Sequence, residues 1–322
     1  MIRLLVSLVA FSAALAALPE HPAQAANTKS YVSNTGSDAN PCTFALPCAG
    51  FQRAHDQTNP GGEVGVLTPG DYGGVVVLKG ISIINDGSGE AAIGGGAQIE
   101  TAAGAGGVVS VRGLVLDGMI HGATGIHHVS GSALHVQNCV IRNFEGVSTA
   151  AGIVSEAPGT QLFVSDTNIF NNGSGVGSGG IVVFAAGGGA GVKVVLDRVH
   201  LDNNVEGLLI SGVLVNAPVA ARVIVRDSVI SGNVANGIHA FTPAGRGPAF
   251  AFVERTTIVN NRQNGILADG PGATVLLDDS AVVRNNVGIG TVNSGQLISY
   301  GNNRVNNNIG PDGAPTSFLA LN

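Results

Sequence analysis

Apolar and polar positions follow one another along this chain in a phrase that returns every 23 to 31 residues. The phrase is an apolar residue, any residue, Asp or Asn, a small polar residue, and then an apolar residue three places after the acid or amide. Val164-Ser-Asp166-Thr-Asn-Ile169-Phe-Asn-Asn172 and Val225-Arg-Asp227-Ser-Val-Ile230-Ser-Gly-Asn233 are two copies, each closing on Asn-Asn or Gly-Asn. Aligned this way, turns fall at Gly113, Asn138, Asp166, Asp197, Asp227, Arg255, Asp279 and Asn302, with Gly80 the turn of an earlier repeat. Asn and Asp tolerate left-handed backbone and bond neighbouring backbone groups, so turn geometry accounts for this ladder without function.

Each repeat offers three short runs with β-branched residues at alternate positions. One follows a glycine, as in Gly125-Ile126, Gly152-Ile153, Gly180-Ile181, Gly207-Leu208, Gly237-Ile238 and Gly265-Ile266. A second ends two places before the turn, at Val111, Val136, Val164, Val195, Val225, Val253, Leu277 and Tyr300. The third carries Leu116, Ile141, Ile169, His200, Ile230, Ile258, Val282 and Val305. No single repeat can bury its own face, so the stack is the folding unit. The pattern predicts an all-β, right-handed, single-stranded parallel β-helix of about nine coils spaced about 4.8 Å apart.

Both ends of such a stack need covering. Phe51, Ala54 and His55 stand at helical spacing and predict a short N-terminal capping helix, while Thr316 to Leu321 reads as a C-terminal covering strand. The expected divisions are a signal peptide (1–25), a cap with a disulfide loop and the short helix (26–60), the β-helix (61–310) and the covering strand (311–322).

The leader has the grammar of export: Arg3, an apolar run from Leu4 to Leu18, and Ala23-Gln24-Ala25 before cleavage. The apolar run is shorter than the roughly 18 residues a membrane span requires. A secreted or periplasmic protein follows, with no integral membrane segment after cleavage. A net charge of −6 argues against nucleic acid as a partner. Cys42 and Cys48, six apart and flanked by prolines, predict a disulfide, leaving Cys139 as a buried free thiol.

Tyr31-Val-Ser-Asn-Thr-Gly-Ser-Asp-Ala-Asn-Pro-Cys42, Thr68-Pro-Gly-Asp-Tyr72, the turn ladder and Ser299-Tyr-Gly-Asn-Asn303 together resemble the bacterial secreted β-helix repeat proteins of the pectate-lyase-like superfamily. The resemblance spans the mature chain and implies a fold. It leaves activity open among lyases, hydrolases, epimerases and surface proteins without chemistry. A lyase of this kind implies an Arg or Lys base beside acidic Ca²⁺ ligands. A glycosidase needs two carboxylates about 5 to 9.5 Å apart.

Period-two alternation after the Gly-Ile pairs turns His127, Val154, Val182, Leu209, His239, Leu267 and Gly290 outward, then Val129, Glu156, Phe184, Ser211, Phe241, Asp269 and Val292. The catalytic candidates are therefore Glu156, Asp269, His127 and His239. The two carboxylates are four coils, or about 19 Å, apart and cannot work as a pair. Each histidine reads as a lone, solvated side chain. Neighbouring His127 and His128 face opposite ways and cannot share a metal ion. Asp278 and Asp279 resemble the paired acids of polygalacturonases, without the companion motifs. Asp166, Asp197 and Asp227 form a stripe that oxygen-seeking Ca²⁺ would accept, yet their turn positions account for them. Arg198 and His200 break the pattern and mark a remodelled coil.

The expectation is an exported, non-catalytic protein with a structural or interaction role at the cell exterior. It needs no cofactor, and Ca²⁺ enters only with a lyase. Its partners would be an extracellular polysaccharide, a surface partner or a second copy, met through the outward apolar Val154, Val182, Leu209 and Leu267. The alternatives are a polysaccharide lyase or glycoside hydrolase acting on acidic glycans, and a carbohydrate-binding module using the inserts at 143–151, 171–179 and 240–249.

Overall fold

The computed structural model describes residues 27–185, 191–216 and 218–320. The expected signal peptide, residues 1–25, lies outside the described residues.

Three parallel sheets run the length of a β-solenoid. Sheet A has 12 strands and holds the runs before the turn, sheet B has ten and holds the runs after it, and sheet C has nine and holds the Gly-Ile runs. Register is continuous from coil to coil. In sheet C, Ile99, Ile126, Ile153, Ile181, Leu208, Ile238, Ile266 and Ile289 stack in one column. All of them are buried. Burying eight such side chains in one column, at roughly 1.5 to 3 kcal/mol each, gives the interior a driving force no isolated coil has.

The register corrects the repeat alignment at three places. In the coil that runs from Val192 to Ser211, Leu196 rather than Val195 stacks between Val164 and Val225, and Leu201 rather than His200 stacks between Ile169 and Ile230. The left-handed residue there is Arg198, at φ 53°, not Asp197. His200 is exposed and lies 3.7 Å from Asp202, so this coil is ordinary in its interior. In the last coil one extra residue enters the corner: Ser299, not Tyr300, pairs with Leu277, and Gly301 takes the positive φ. Asn302 instead accepts the Asp279 N–H at 3.2 Å. Gly80 does not belong to the corner between sheets A and B: it lies at the bend from Val75–Val77 of sheet C to Ile81–Ile84 of sheet A, where Ile81 pairs with Val109.

Gly113, Asn138, Asp166, Asp227, Arg255 and Asp279 are left-handed at the corner between sheets A and B. The next residue points inward and ties coils together: the Ser228 hydroxyl accepts the Val199 N–H at 3.1 Å, and the Ser280 hydroxyl accepts the Thr256 N–H at 3.1 Å. Cys139 occupies this position in its own coil, with its N–H donating to Thr167 Oγ1 at 3.3 Å. Burial pushes its thiol up to about 11.

The Asn-Asn and Gly-Asn closings build a second corner, between sheets B and C. Asn171, Asn203, Gly232, Asn260 and Asn307 are left-handed. The residue after each is an asparagine, buried at Asn172, Asn204, Asn233 and Asn261 and half-buried at Asn308, whose side-chain oxygen accepts a backbone N–H from the coil before. Asn204 N–H donates to Asn233 Oδ1 at 2.9 Å, Asn233 N–H to Asn261 at 3.1 Å, and Asn261 N–H to Asn285 at 3.0 Å. The glycines that follow are required by contact. A Cβ on Gly207 would stand 2.5 Å from the Gly237 carbonyl oxygen, and one on Gly237 would stand 2.6 Å from that of Gly265.

The N-terminal end is closed by a helix, Phe51–Gln57, which buries Phe51, Ala54 and His55. His55 Nε2 accepts the Leu78 N–H at 3.2 Å. The Cys42–Cys48 disulfide is formed just ahead of this helix. At the other end only Ser317–Phe318 adds to sheet A, and Phe318 and Leu319 stay exposed.

Candidate functional site

Sheet C carries the residues singled out as candidates, and its register puts His127, Val154, Val182, Leu209, His239, Leu267 and Gly290 in one outward column. Neither histidine is alone. His127 Nε2 lies 2.8 Å from Glu156 Oε1, one coil on. His239 sits between two carboxylates: Nδ1 is 3.4 Å from Glu206 Oε1, and Nε2 is 4.0 Å from Asp269 Oδ2. Glu206 is buried and accepts the Asn236 backbone N–H at 3.1 Å and its side-chain amide at 3.2 Å. Asn264 extends this chain by donating to Asn236 Oδ1 at 2.8 Å. Asp269 accepts from Asn293 Nδ2 at 2.8 Å. A cavity of about 500 Å³ lined by Phe241, Pro243, Asp269, Pro271 and Asn293 opens beside this second cluster.

The outward apolar column is also not what the alternation alone suggests. Val182 and Leu209 are 1% and 6% exposed, and form a small cluster with Ala151, Val154, Phe184 and Phe241 on the outside of the sheet. The face is therefore two histidine–carboxylate clusters separated by covered apolar side chains. Among the described residues, no Lys or Arg stands in its outward columns.

His128 faces inward, as alternation requires, and is 1% exposed. Its Nδ1 meets the Ser155 hydroxyl at 3.3 Å, while Nε2 has no hydrogen-bond partner. Burial, together with repulsion from His127, pushes its pKa down to about 4. It is a neutral core residue, remote from solvent chemistry.

The acidic stripe is taken up by arginines. Arg198 Nε lies 2.7 Å from Asp166, and its Nη1 lies 2.6 Å from Asp197, while Arg226 reaches Asp197 at 3.1 Å. Arg255 grips Asp227 with two nitrogens, at 2.8 and 2.9 Å. The guanidiniums beside Asp166 and Asp227 hold both carboxyls below the usual carboxylate range. Asp278 accepts from Asn302 Nδ2 at 2.8 Å, and Asp279 is a corner residue.

No family model matches the sequence, and no curated protein matches it either. Solved structures do. An alginate lyase from Paenibacillus sp. str. FPU-7 superposes with a TM-score of 0.57 at 14% identity, over 91% of this chain and 98% of that one. Pectate lyase Pel9A gives 0.49 at 14% identity over 87% and 79%, and the A-module of the Azotobacter vinelandii mannuronan C-5 epimerase AlgE4 gives 0.45 at 14% over 81% and 91%. At such identity the likeness speaks for architecture. The chain has a parallel β-helix fold similar to that of the alginate lyase.

Proposed function

We propose that this is an exported, non-catalytic β-helix that acts by contact, presenting its outer faces to an extracellular partner. The observation that carries the reading is the state of charge on sheet C. His127 meets Glu156, His239 lies near Glu206 and Asp269, Val182 and Leu209 are covered, and among the described residues no Lys or Arg stands in the outward columns. Stabilising the charge that develops when a proton leaves a uronate ring calls for a group placed against it, and no Lys or Arg among the described residues of this face supplies one. The Cys42–Cys48 disulfide and the leader sequence support export into an oxidising compartment. Incubation with polygalacturonate, alginate and neutral glycans, with and without Ca²⁺, should give neither unsaturated products nor new reducing ends. Steady product formation by the purified chain would refute the reading.

The second reading is a polysaccharide lyase or hydrolase for acidic glycans, favoured by the His127–Glu156 contact of 2.8 Å. An imidazole held by a carboxylate is an arrangement able to accept a proton. On this reading His127→Ala abolishes product formation while leaving the fold intact.

A further inference from the structure

Alternation along sheet A turns three columns outward. The middle one is apolar over consecutive coils, where Phe163, Val195, Ile224, Phe252, Leu276 and Ile298 stack in register. At a strand spacing of about 4.8 Å this stripe is about 24 Å long. None of these side chains is buried, and Ile224 is 40% exposed. Val182 and Leu209 on sheet C, by contrast, are already covered and leave a second copy little to bury.

The flanking columns carry opposite charge. On one side Lys193 and Arg222 are register partners on adjacent strands, and both are exposed. Among the described residues neither has a carboxylate partner, although like charges directly opposite each other on neighbouring strands repel. The Arg222 guanidinium lies instead 5.8 Å from the centroid of the Phe250 ring. On the other side the column of Asp197, Arg226, Glu254 and Asp278 adjoins a corner that adds Asp166, Asp227 and Asp279. These acids outnumber the arginines of the same edge, Arg198, Arg226 and Arg255, which are spent on Asp166, Asp197, Asp227 and Glu254. Glu254 and Asp278 are themselves register partners, so this edge sets two acids side by side as the other sets two cations.

A face with an apolar middle, a cationic edge and an acidic edge is complementary to itself. We propose that sheet A docks on sheet A of a second copy, about a twofold axis that lies between the two faces and runs broadly along the solenoid. This rotation exchanges the two edges and keeps the order of coils. It lays one apolar stripe on the other and sets Lys193 and Arg222 of each copy against the acid-rich edge of its partner. A twofold along the strands would instead set the cationic column against itself. Because the same patch serves both copies, the assembly closes at two. A contact of this length is at the small end of specific interfaces, so dissociation in the micromolar range is expected. Sheets B and C stay open in such a dimer, and the inference stands whether or not sheet C performs chemistry.

Sedimentation equilibrium of the full mature chain across the micromolar range tests it. A reversible dimer is expected, weakening as salt rises. Lys193→Glu with Arg222→Glu should weaken it at least about tenfold, because each substitution counts twice across the twofold. Ile224→Glu should do the same, and Arg304→Gln on sheet B should leave the dimer unchanged. Glu254→Lys with Asp278→Lys should also give monomers. An equal mixture of the two charge-reversed variants should restore dimers, since both edges of the mixed pair again meet opposite charge, and this recovery shows that both variants fold. A wild type that stays monomeric, with or without polygalacturonate bound at this face, overturns the proposal. So does a dimer indifferent to both charge reversals, or a mixture of folded variants, by circular dichroism, that stays monomeric. Turnover in the product assay would remove the non-catalytic reading and leave these outcomes as they are.

Discussion

Sheets A and C rise from the same coils, share one interior and turn comparable faces to solvent, yet they treat charge and apolar surface in opposite ways. On sheet C, His127 is matched by Glu156, His239 by Glu206 and Asp269, and the apolar side chains at Val182 and Leu209 are out of solvent. On sheet A, Lys193 and Arg222 are unmatched and Ile224 beside them stays open. A solenoid constrains its inward positions at every coil and leaves the outward ones free. What a coil does not satisfy internally is then the better guide to what it meets outside.

The comparison depends on a shared register, and the hardest way to break it is through the buried asparagine corner. Asn233→Leu strands the Asn204 N–H, which now donates to Asn233 at 2.9 Å, and removes a donor from Asn261. The expected loss is about 2 to 4 kcal/mol by urea denaturation. A loss below about 1 kcal/mol would mean that the ladder does not hold the coils in register.

Acid should act through the interior, beneath sheet C. His128 has its pKa lowered to about 4, so as pH falls the unfolded chain takes up this proton first. Stability is intact above the unfolded value of about 6.5 and is lost as pH falls from there towards 4, by roughly 3 kcal/mol at most. Denaturation midpoints across that window should fall for the wild type and fall less steeply for His128→Leu, with His55 and His135, also lowered by burial, supplying the remaining slope. An unchanged slope would place the acid sensitivity elsewhere.

Smaller effects sharpen the contrast between the two faces. Glu156→Gln removes a partly exposed partner of His127 and should cost under about 1 kcal/mol. Lys193→Gln with Arg222→Gln removes no partner within its own chain and should leave the stability of the dilute monomer within about 0.5 kcal/mol, while weakening dimerisation. If the second pair proved as costly as the first, the cations of sheet A would have partners inside the chain.

The fold was legible because burial repeats: Ile126, Ile153 and Ile181 follow glycines at every coil, and the left-handed corners select Asn, Asp or Gly. Asp197 carries the acid that marks the corner in neighbouring coils, but the burial of Leu196 and Leu201 sets the frame and Arg198 turns it. His200 thereby lost its status as an anomaly. Glu206 was missed because it precedes its Gly-Leu pair and falls outside columns counted forward from that pair. Its position next to Asn236 and His239 could have been found by counting one step backward.

Lys193 and Arg222 carry no motif at all. They are 29 residues apart in sequence, and only the exact coil register makes them neighbours without an acid between them. The histidine–carboxylate contacts likewise span whole coils, such as the 29 residues from His127 to Glu156. Inserts of unequal length hide such pairs from any reading by spacing.

The most direct measurement is a structure of the mature chain with a uronic-acid oligosaccharide. Two copies joined through sheet A, Lys193 and Arg222 of each against the acid-rich edge of the other, with the oligosaccharide unbroken, is the outcome this account predicts. Single copies with sheet A open to solvent, or an oligosaccharide found cleaved against His127 and Glu156 or around His239 on sheet C, would contradict it.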